Sequence, residues 1–497
     1  MNVAPRLQAP VGGIDLAELL AGRAAAPHLL VGGLTADSRA VTPGDAFVAL
    51  PGIHHHGVEF AAHAARSGAI AILWDASRPV LPALPGGVSA IAVTRLEQDI
   101  GDIADRAYGM PSARARVSGV TGTNGKTTCA WLLAQAWGEA GAYVGTLGAG
   151  LPTQLLAGSH TTPDCLALHR ALSELVAGGA RDIAIEVSSH ALAQDRTAGV
   201  RLPVVAFTNL SRDHLDYHET MAAYGAAKER VLHARDVARA VLNLSDPFAR
   251  DLSTRLPSGV ELYAVQPDAA TSGAFVRAES VRPEPGGMAI EGSSHLGRFL
   301  LHSPLRGAFN VQNLMVVLGM LLACDVPLAE AVTRLGGASA PPGRMEAVAL
   351  PQGATALVDY AHTPDALANV LGAARAYGSG QLWCVFGCGG ERDPGKRGAM
   401  GRIAESLADR VIVTDDNPRG EPPQAIVTAI LAGMRAPQRA LVEHDRMRAI
   451  TTACSAAASG DVVLIAGKGH EDYQVAGGVR RRFSDRAAVD AFVRGRP

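Results

Sequence analysis

Gly119-Val120-Thr121-Gly122-Thr123-Asn124-Gly125-Lys126-Thr127-Thr128 decides how this chain is read. A short apolar run enters the stretch, three glycines punctuate it, and Thr127 to Glu139 then reads as helix. That strand–loop–helix layout suits a phosphate cradle. Glycines let backbone N–H groups approach the phosphates, a helix N-terminus favours negative charge, Lys126 supplies a cation, and Thr127 can ligate Mg²⁺. The strict phosphate-loop pattern has its first glycine five residues before Gly125, where this chain carries Val120; Gly119 and Gly122 flank the gap. A Gly-rich turn capped by threonine is the plain alternative. The Gly-Lys-Thr-Thr ending in this setting argues against it.

A chain of 497 residues exceeds one core, so two to four domains are expected. With 48% apolar and 19% charged residues it reads as an ordinary globular protein. A formal charge of −2 leaves no electrostatic footprint for nucleic acid or an anionic membrane surface. Six cysteines, at 129, 165, 324, 384, 388 and 454, form no zinc spacing and suit a reduced, cytoplasmic setting. The longest apolar run, Leu314 to Cys324, is too short to span a bilayer.

The pattern predicts an α/β protein of three units. Residues 1–112 read as a small α/β unit, with strands near Ala46–Leu50 and Ala69–Leu73 around an Ala-rich helix, Phe60–Ser67. His54, His55 and His56 cannot share one strand face and read as a surface loop, not a metal site. From 113 to 341 strands and helices alternate as in a doubly wound phosphate-loop domain. Ile183–Ile185 ends at Glu186, Val204–Phe207 at Thr208-Asn209, and Ala240–Leu242 at Asn243. Pro341 to Gly343 reads as a hinge into a third, Rossmann-like unit, 342–497. There four strands run into loops dense in glycine and charge, at Asp359, Gly387–Gly390, Asp415–Arg419 and Gly467–Glu471.

A phosphate loop says nucleotide without saying which reaction. Glu186, ending a buried run, can hold Mg²⁺ through an oxygen. His190 is assigned no role. Thr208–His218 concentrates ligand-type residues without specifying a chemistry, and Lys228 on its own reads as an ordinary helical lysine.

Taken in order, these motifs resemble the Mur ligases of peptidoglycan synthesis over nearly the whole chain. They are Gly122–Thr127, Glu186-Val187-Ser188-Ser189-His190, Thr208-Asn209-Leu210, Asp213-His214, Tyr224 to Lys228, Asn310 to Asn313, Gly343–Glu346, Asp359–Pro364, Gly387 to Lys396 and Gly467 to Glu471. The chain looks like the branch that adds the third stem-peptide residue. Asp416-Asn417-Pro418-Arg419 is similar to the signature for meso-diaminopimelate instead of L-lysine.

The resemblance implies an ATP-dependent, Mg²⁺-requiring amide ligase acting on UDP-MurNAc-L-Ala-D-Glu and meso-diaminopimelate. No nucleic-acid partner or membrane insertion is expected, and a monomer is. It places the nucleotide on Gly122, Thr123, Asn124, Gly125, Lys126, Thr127, Thr128, Asn310, Arg344 and Asp359. Lys126, Glu186, His214 and Lys228 carry the catalytic work, with metal at Thr127 and Glu186 and at His214 and Lys228, the last as a carbamate. An ammonium cannot ligate a metal, whereas a carbamate offers two hard oxygens. The UDP-sugar peptide falls on Ser38, Thr161, Thr162, Ser188, Gln194 and Arg196, with the Gly52–His55 loop at the uridine end departing from the usual form. The amino acid falls on Arg392, Asp416, Asn417, Pro418, Arg419, Gly467 and Glu471. Arg419 suits a distal carboxylate and Glu471 a distal ammonium. The rivals are the same ligation with L-lysine, a D-Ala-D-Ala-adding ligase, a folylpolyglutamate synthase and a nucleotide-gated binding protein.

Overall fold

The computed structural model describes residues 13–52, 55–75, 77, 81–158, 160–267, 273–284 and 287–495. Ile53 and His54 of the expected uridine loop lie outside them. Within the described residues the architecture rests on three main sheets.

The N-terminal sheet is parallel and runs Leu34–Thr35, Ala46–Ala49, Ala71–Asp75, Ser89–Val93. Its strands are apolar on both faces. Ala46 and Val48 join one core cluster, Phe47 and Ala49 another. His56 caps the turn Gly57–Phe60, accepting from Val58 N at 3.2 Å, and Glu59 accepts from His56 N at 2.8 Å. Those bonds give the described histidines of the triple run a local, structural use.

The central sheet has eleven strands. Seven are parallel, in the order Gly141–Gly145, Asp182–Glu186, Arg116–Thr121, Val204–Phe207, Arg239–Asn243, Glu261–Val265 and Ala274–Glu284. Period-two alternation sorts their side chains between two cores: Ala184, Val204 and Ala206 on one face, Ile183, Ile185, Val205 and Phe207 on the other. Burial on both faces explains the unbroken apolar runs. The helix Ala308–Ala323 lies within the first core, which accounts for the longest apolar run. No helix among the described residues is long and apolar enough to cross a membrane.

Strand–helix alternation does not continue to the hinge. Ala274–Glu284, Gly287–Ser294 and Gly297–Ser303 pair antiparallel in sequence. Gly287–Ser294 is mostly buried but carries few large apolar residues, and the strands on either side of it are largely exposed, so the meander lacks the long apolar runs of the parallel strands.

The C-terminal sheet runs Glu346–Ala349, Thr355–Asp359, Val462–Ala466, Leu382–Phe386, Arg410–Val413, Leu441–Val442, parallel except for its first strand. A hairpin, Tyr473–Ala476 with Val479–Arg482, follows it. Gly343, at φ 67°, packs so tightly on the Gly469–His470 turn that a Cβ there would lie 2.2 Å from His470 N. The loops at the carboxyl ends of the central and C-terminal strands meet across a seam, and the candidate site is built there.

Candidate active site

The loop between Arg116–Thr121 and the helix Lys126–Ala136 is shaped by backbone contacts. Thr123 N donates to Asn209 O at 2.8 Å, Asn124 N to Asn209 Oδ1 at 3.0 Å, and Thr208 Oγ1 to Asn124 O at 2.6 Å. Gly122 and Gly125 sit at φ 142° and 85°. A Cβ at Gly122 would stand 1.9 Å from Thr208 Oγ1, and one at Gly125 would stand 2.5 Å from Asn313 Oδ1. Glycine is therefore required twice, for conformation and for space. Lys126 folds back and donates to Gly122 O and Thr123 O, both at 2.9 Å. Burial pushes its ammonium below the usual range, against the pull of Glu186 and Asp213.

Glu186, 1% exposed, is the most heavily bonded carboxylate at this loop. Thr127 Oγ1 donates to it at 2.9 Å, Thr146 N at 2.9 Å, Thr146 Oγ1 at 3.1 Å, and Tyr143 OH through a short bond. Thr127 Oγ1 and Glu186 are hard oxygens side by side. No group of three His, Cys, Asp or Glu among the described residues could enclose a metal. Such a set suits Mg²⁺, which takes one or two protein oxygens and completes its shell with phosphate and water.

Lys228 comes from the helix Met221–Glu229 and is 1% exposed. Its Nζ donates to Gly122 O at 2.6 Å, the carbonyl that Lys126 also uses, and lies 4.6 Å from the Tyr224 ring centre. Burial, then repulsion from Lys126, puts its pKa well below that of an ordinary lysine. His214, at φ 53°, packs edge-on to Tyr224 and to His190, with ring centres 6.1 and 4.8 Å away. Burial brings its imidazole down to about 3 and that of His190 to about 4. The structure thus draws Lys126, Lys228 and His214 together, with His190, unassigned in the sequence, beside them.

The seam with the C-terminal sheet holds a cavity of about 310 Å³. Of the residues expected at the nucleotide, Asn124, Gly125, Thr128, Asn310, Arg344 and Asp359 line it, and Gly122, Thr123, Lys126 and Thr127 do not. Asn243, Asp246 and Asp365 also line it and were missed; only Asn243, ending an apolar run, had a sequence signal. Arg344 reaches across, donating to Thr127 Oγ1 at 3.2 Å while stacking 4.7 Å over Tyr360. Burial raises the Asp359 carboxyl, opposed by Arg344 and by N–H groups of Met345 and Ala361. Asn124 Nδ2 donates to Asp365 at 2.9 Å, and Arg212 pairs with Asp393 at 3.1 Å.

The expected sugar-peptide residues form one chain of contacts beside Glu186. Thr161 Oγ1 lies 3.0 Å from Thr146 Oγ1, Thr162 Oγ1 donates to Glu186 O at 2.7 Å, and Ser188 N to Thr162 Oγ1 at 3.1 Å. Arg196 donates to Thr162 O at 2.9 Å and to Gln194 Oε1 at 2.7 Å. Ser38 is buried in the N-terminal unit, next to Asp37 and Arg39, which act electrostatically on His160.

The expected amino-acid residues also converge. Asn417 Nδ2 donates to Glu471 at 2.9 Å, and Asn417 Oδ1 accepts from Val475 N at 3.0 Å. Arg419, at φ 56°, donates to Gly390 O at 2.8 Å, and its own N–H to Val475 O at 2.9 Å. Pro418 lies between them and Gly467, at φ 118°, faces Asp416. Arg392 is exposed and stands 3.6 Å from Asp216 across the seam. At the centre is Lys468, which sequence reading passed over; its position beside glycines gave no hint that it would be buried.

Comparison with known proteins identifies the family. Residues 30–108 match the family model "Mur ligase family, catalytic domain", 120–321 "Mur ligase middle domain" and 343–469 "Mur ligase, glutamate ligase domain". The chain is 47% identical over 481 residues to the UDP-N-acetylmuramoyl-L-alanyl-D-glutamate–2,6-diaminopimelate ligase of Xanthomonas campestris pv. campestris (strain 8004), covering 95% of this chain and 96% of that protein. It is 44% identical to the Pseudomonas aeruginosa PAO1 protein of the same name, covering 92% and 94%. A solved structure of a protein so named superposes with TM-score 0.65 at 34% identity, over 97% of this chain and 99% of that one. MurF ligase from Thermotoga maritima, at 18% identity and TM-score 0.64 over 93% and 97%, shares the fold. The chain belongs to the Mur ligase family.

Proposed function

We propose that this enzyme joins meso-diaminopimelate to the D-Glu γ-carboxyl of UDP-MurNAc-L-Ala-D-Glu at the expense of ATP, in peptidoglycan precursor synthesis. The observation that carries the reading is the seam itself. The phosphate loop and the C-terminal unit line one cavity there, and Arg344 donates across it to Thr127 Oγ1, in a chain 47% identical to a ligase named for this reaction. We assign the work to three units, 1–112 for the uridine end, 113–341 for ATP and 342–497 for the amino acid.

A carboxylate is a poor electrophile, so the γ-phosphoryl group of ATP is transferred to it first, releasing ADP. The free amine of diaminopimelate attacks the acyl phosphate. The tetrahedral adduct expels phosphate and a proton, leaving the amide. The protein's share is positioning and charge. The glycine-rich loop presents N–H groups to the phosphates, and Lys126 swings from Gly122 O and Thr123 O toward them. Arg344, already at Thr127 Oγ1, brings a second cation from the closing domain. Thr161, Thr162, Ser188, Gln194 and Arg196 hold the UDP-sugar dipeptide beside Glu186.

Thr127 and Glu186 would hold one Mg²⁺, and His214 with Lys228 a second, where the metal offsets negative charge between phosphate and carboxylate. Lys228 as an amine cannot do this. A buried lysine with a lowered pKa gives up its proton more readily than an ordinary one, and the neutral amine adds CO₂, losing one proton to give a carbamate.

Phosphate release tests the reading. Turnover should require ATP, the UDP-sugar dipeptide and diaminopimelate together, with L-lysine a poor substitute. Equal turnover with L-lysine would overturn the acceptor assignment, and release without the dipeptide would overturn ligation.

A further inference from the structure

Lys468 is fully buried, and every partner of its ammonium belongs to the acceptor pocket or the hairpin that closes it. Nζ lies 3.3 Å from Asp416 Oδ1 and 3.2 Å from Glu471 Oε2, donates to Asn417 Oδ1 at 3.1 Å and to Tyr473 O at 2.8 Å. Two carboxylates, an amide and a carbonyl thus close around one cation, which has no route to water. Behind it, Arg446 and Asp485 form a second fully buried pair at 2.7 Å and neutralise each other. Arg392 is exposed and paired with Asp216 across the seam, and the pocket's remaining charges, Asp416, Glu471, Lys468 and Arg419, sum to zero.

That sum matters for what the pocket accepts. The distal end of diaminopimelate is a zwitterion and brings no net charge. The distal end of L-lysine is an ammonium alone. Without Lys468 the same walls would carry one net negative charge and would suit the cation. We propose that Lys468 is a specificity-determining positioning residue. It occupies the shared carboxylate oxygens of Asp416 and Glu471 and sets the pocket neutral, so that a zwitterionic side chain is preferred over a cationic one. The proposal rests on the acceptor assignment above, and it concerns a residue inside the Gly467 to Glu471 motif to which the resemblance assigned no role.

A switch of preference, unlike a loss of activity, separates this role from mere support of the fold. Specificity is a difference of affinities, so a packing defect lowers both substrates alike while a charge change moves their ratio. The experiment measures kcat/KM for diaminopimelate and for L-lysine, with ATP and the UDP-sugar dipeptide saturating, in the wild type, Lys468→Met and Lys468→Gln. Melting curves and binding of each amino acid by calorimetry accompany it. Glutamine keeps a donor toward Asn417 and Tyr473 and is read alone if the methionine variant does not fold. The diaminopimelate-to-lysine ratio should fall by a factor of roughly ten to a hundred, the size of a lost charge-assisted contact. The KM for ATP should stay within about twofold, since Lys468 touches only the acceptor pocket. An unchanged or increased ratio in a folded variant overturns the proposal while leaving the ligase reading intact. A wild type with no preference for diaminopimelate overturns both.

Discussion

Two buried lysines in this enzyme, Lys228 and Lys468, have opposite surroundings. Lys228 is aimed at one backbone carbonyl, Gly122 O, with the cation of Lys126 close by. Lys468 is aimed at two carboxylates. Burial penalises the charged form in both places, but only the acceptor pocket returns the lost hydration as ion pairs. The central site therefore holds a lysine that gives up its proton more readily than an ordinary one. The C-terminal site stores an ammonium, which is a fixed charge.

The sharpest way to break this contrast is at the loop both central lysines share. Lys126→Ala should lower kcat on the order of a thousandfold, because a phosphate-facing cation is lost, while melting shifts little. A variant that keeps its turnover would remove Lys126 from phosphoryl transfer. Lys228→Ala should cost roughly a hundredfold, with part of the activity restored by short carboxylates such as formate or acetate standing in for the carbamate oxygens. No restoration would sink the carbamate.

Stability sharpens the same point. The Lys228 amine has a folded pKa well below its unfolded value near 10.5. The unfolded chain then binds the extra proton between those two values, so native stability rises with pH across that window. Below the folded value the burial penalty is complete; above about 10.5 it is gone. In CO₂-depleted buffer Lys228→Met should flatten this rise relative to wild type, read by urea midpoints along the pH series. Parallel pH profiles for the two proteins would show that Lys228 is not the titrating group.

What could be read from the chain follows the same division. The phosphate loop is a contiguous run whose glycines, lysine and threonine do their work within ten residues, so Gly122 to Thr128 was legible directly. So were the parallel strands, because burial on both faces leaves unbroken apolar runs such as Ile183–Ile185 and Val204–Phe207. Lys228 and Lys468 carry no local mark: one sits in an ordinary helical pattern and the other between glycines, and only tertiary packing buries them. Family resemblance singled out Lys228. Nothing in the sequence singled out Lys468, Asp365 or Tyr143, whose meaning lies wholly or partly in partners over forty positions away. The antiparallel meander 274–303 was hidden for a simpler reason, the exposure of its two outer strands.

Arg419 tests the acceptor side of the contrast with a smaller expected effect. Its guanidinium leans on Gly390 O and keeps donors for a carboxylate. Arg419→Ala should reduce the preference for diaminopimelate over L-lysine by about tenfold to a hundredfold, mostly through KM for diaminopimelate, since L-lysine never engages that fork. Competition assays with both amino acids give the ratio. A preference that survives would move recognition of the distal carboxylate to Arg392.

The smallest effect should come from the links that hold the two regions face to face. Arg212 is half exposed and its pair with Asp393 crosses the seam at 3.1 Å. An exposed guanidinium is screened by water, so the pair is worth less than about 1 kcal/mol to stability. Its place matters more than its strength. Asp393 lies next to Arg392 in the acceptor loop, and Arg212 lies next to Asp213 behind the phosphate loop, so the pair couples the two regions during closure. Arg212→Ala should leave melting nearly unchanged and raise KM for the amino acid about twofold to fivefold, with little change in KM for ATP. Equal increases in both constants would mean that the seam acts as one unit, and the contrast between the two lysine sites would then be chemical without being mechanical.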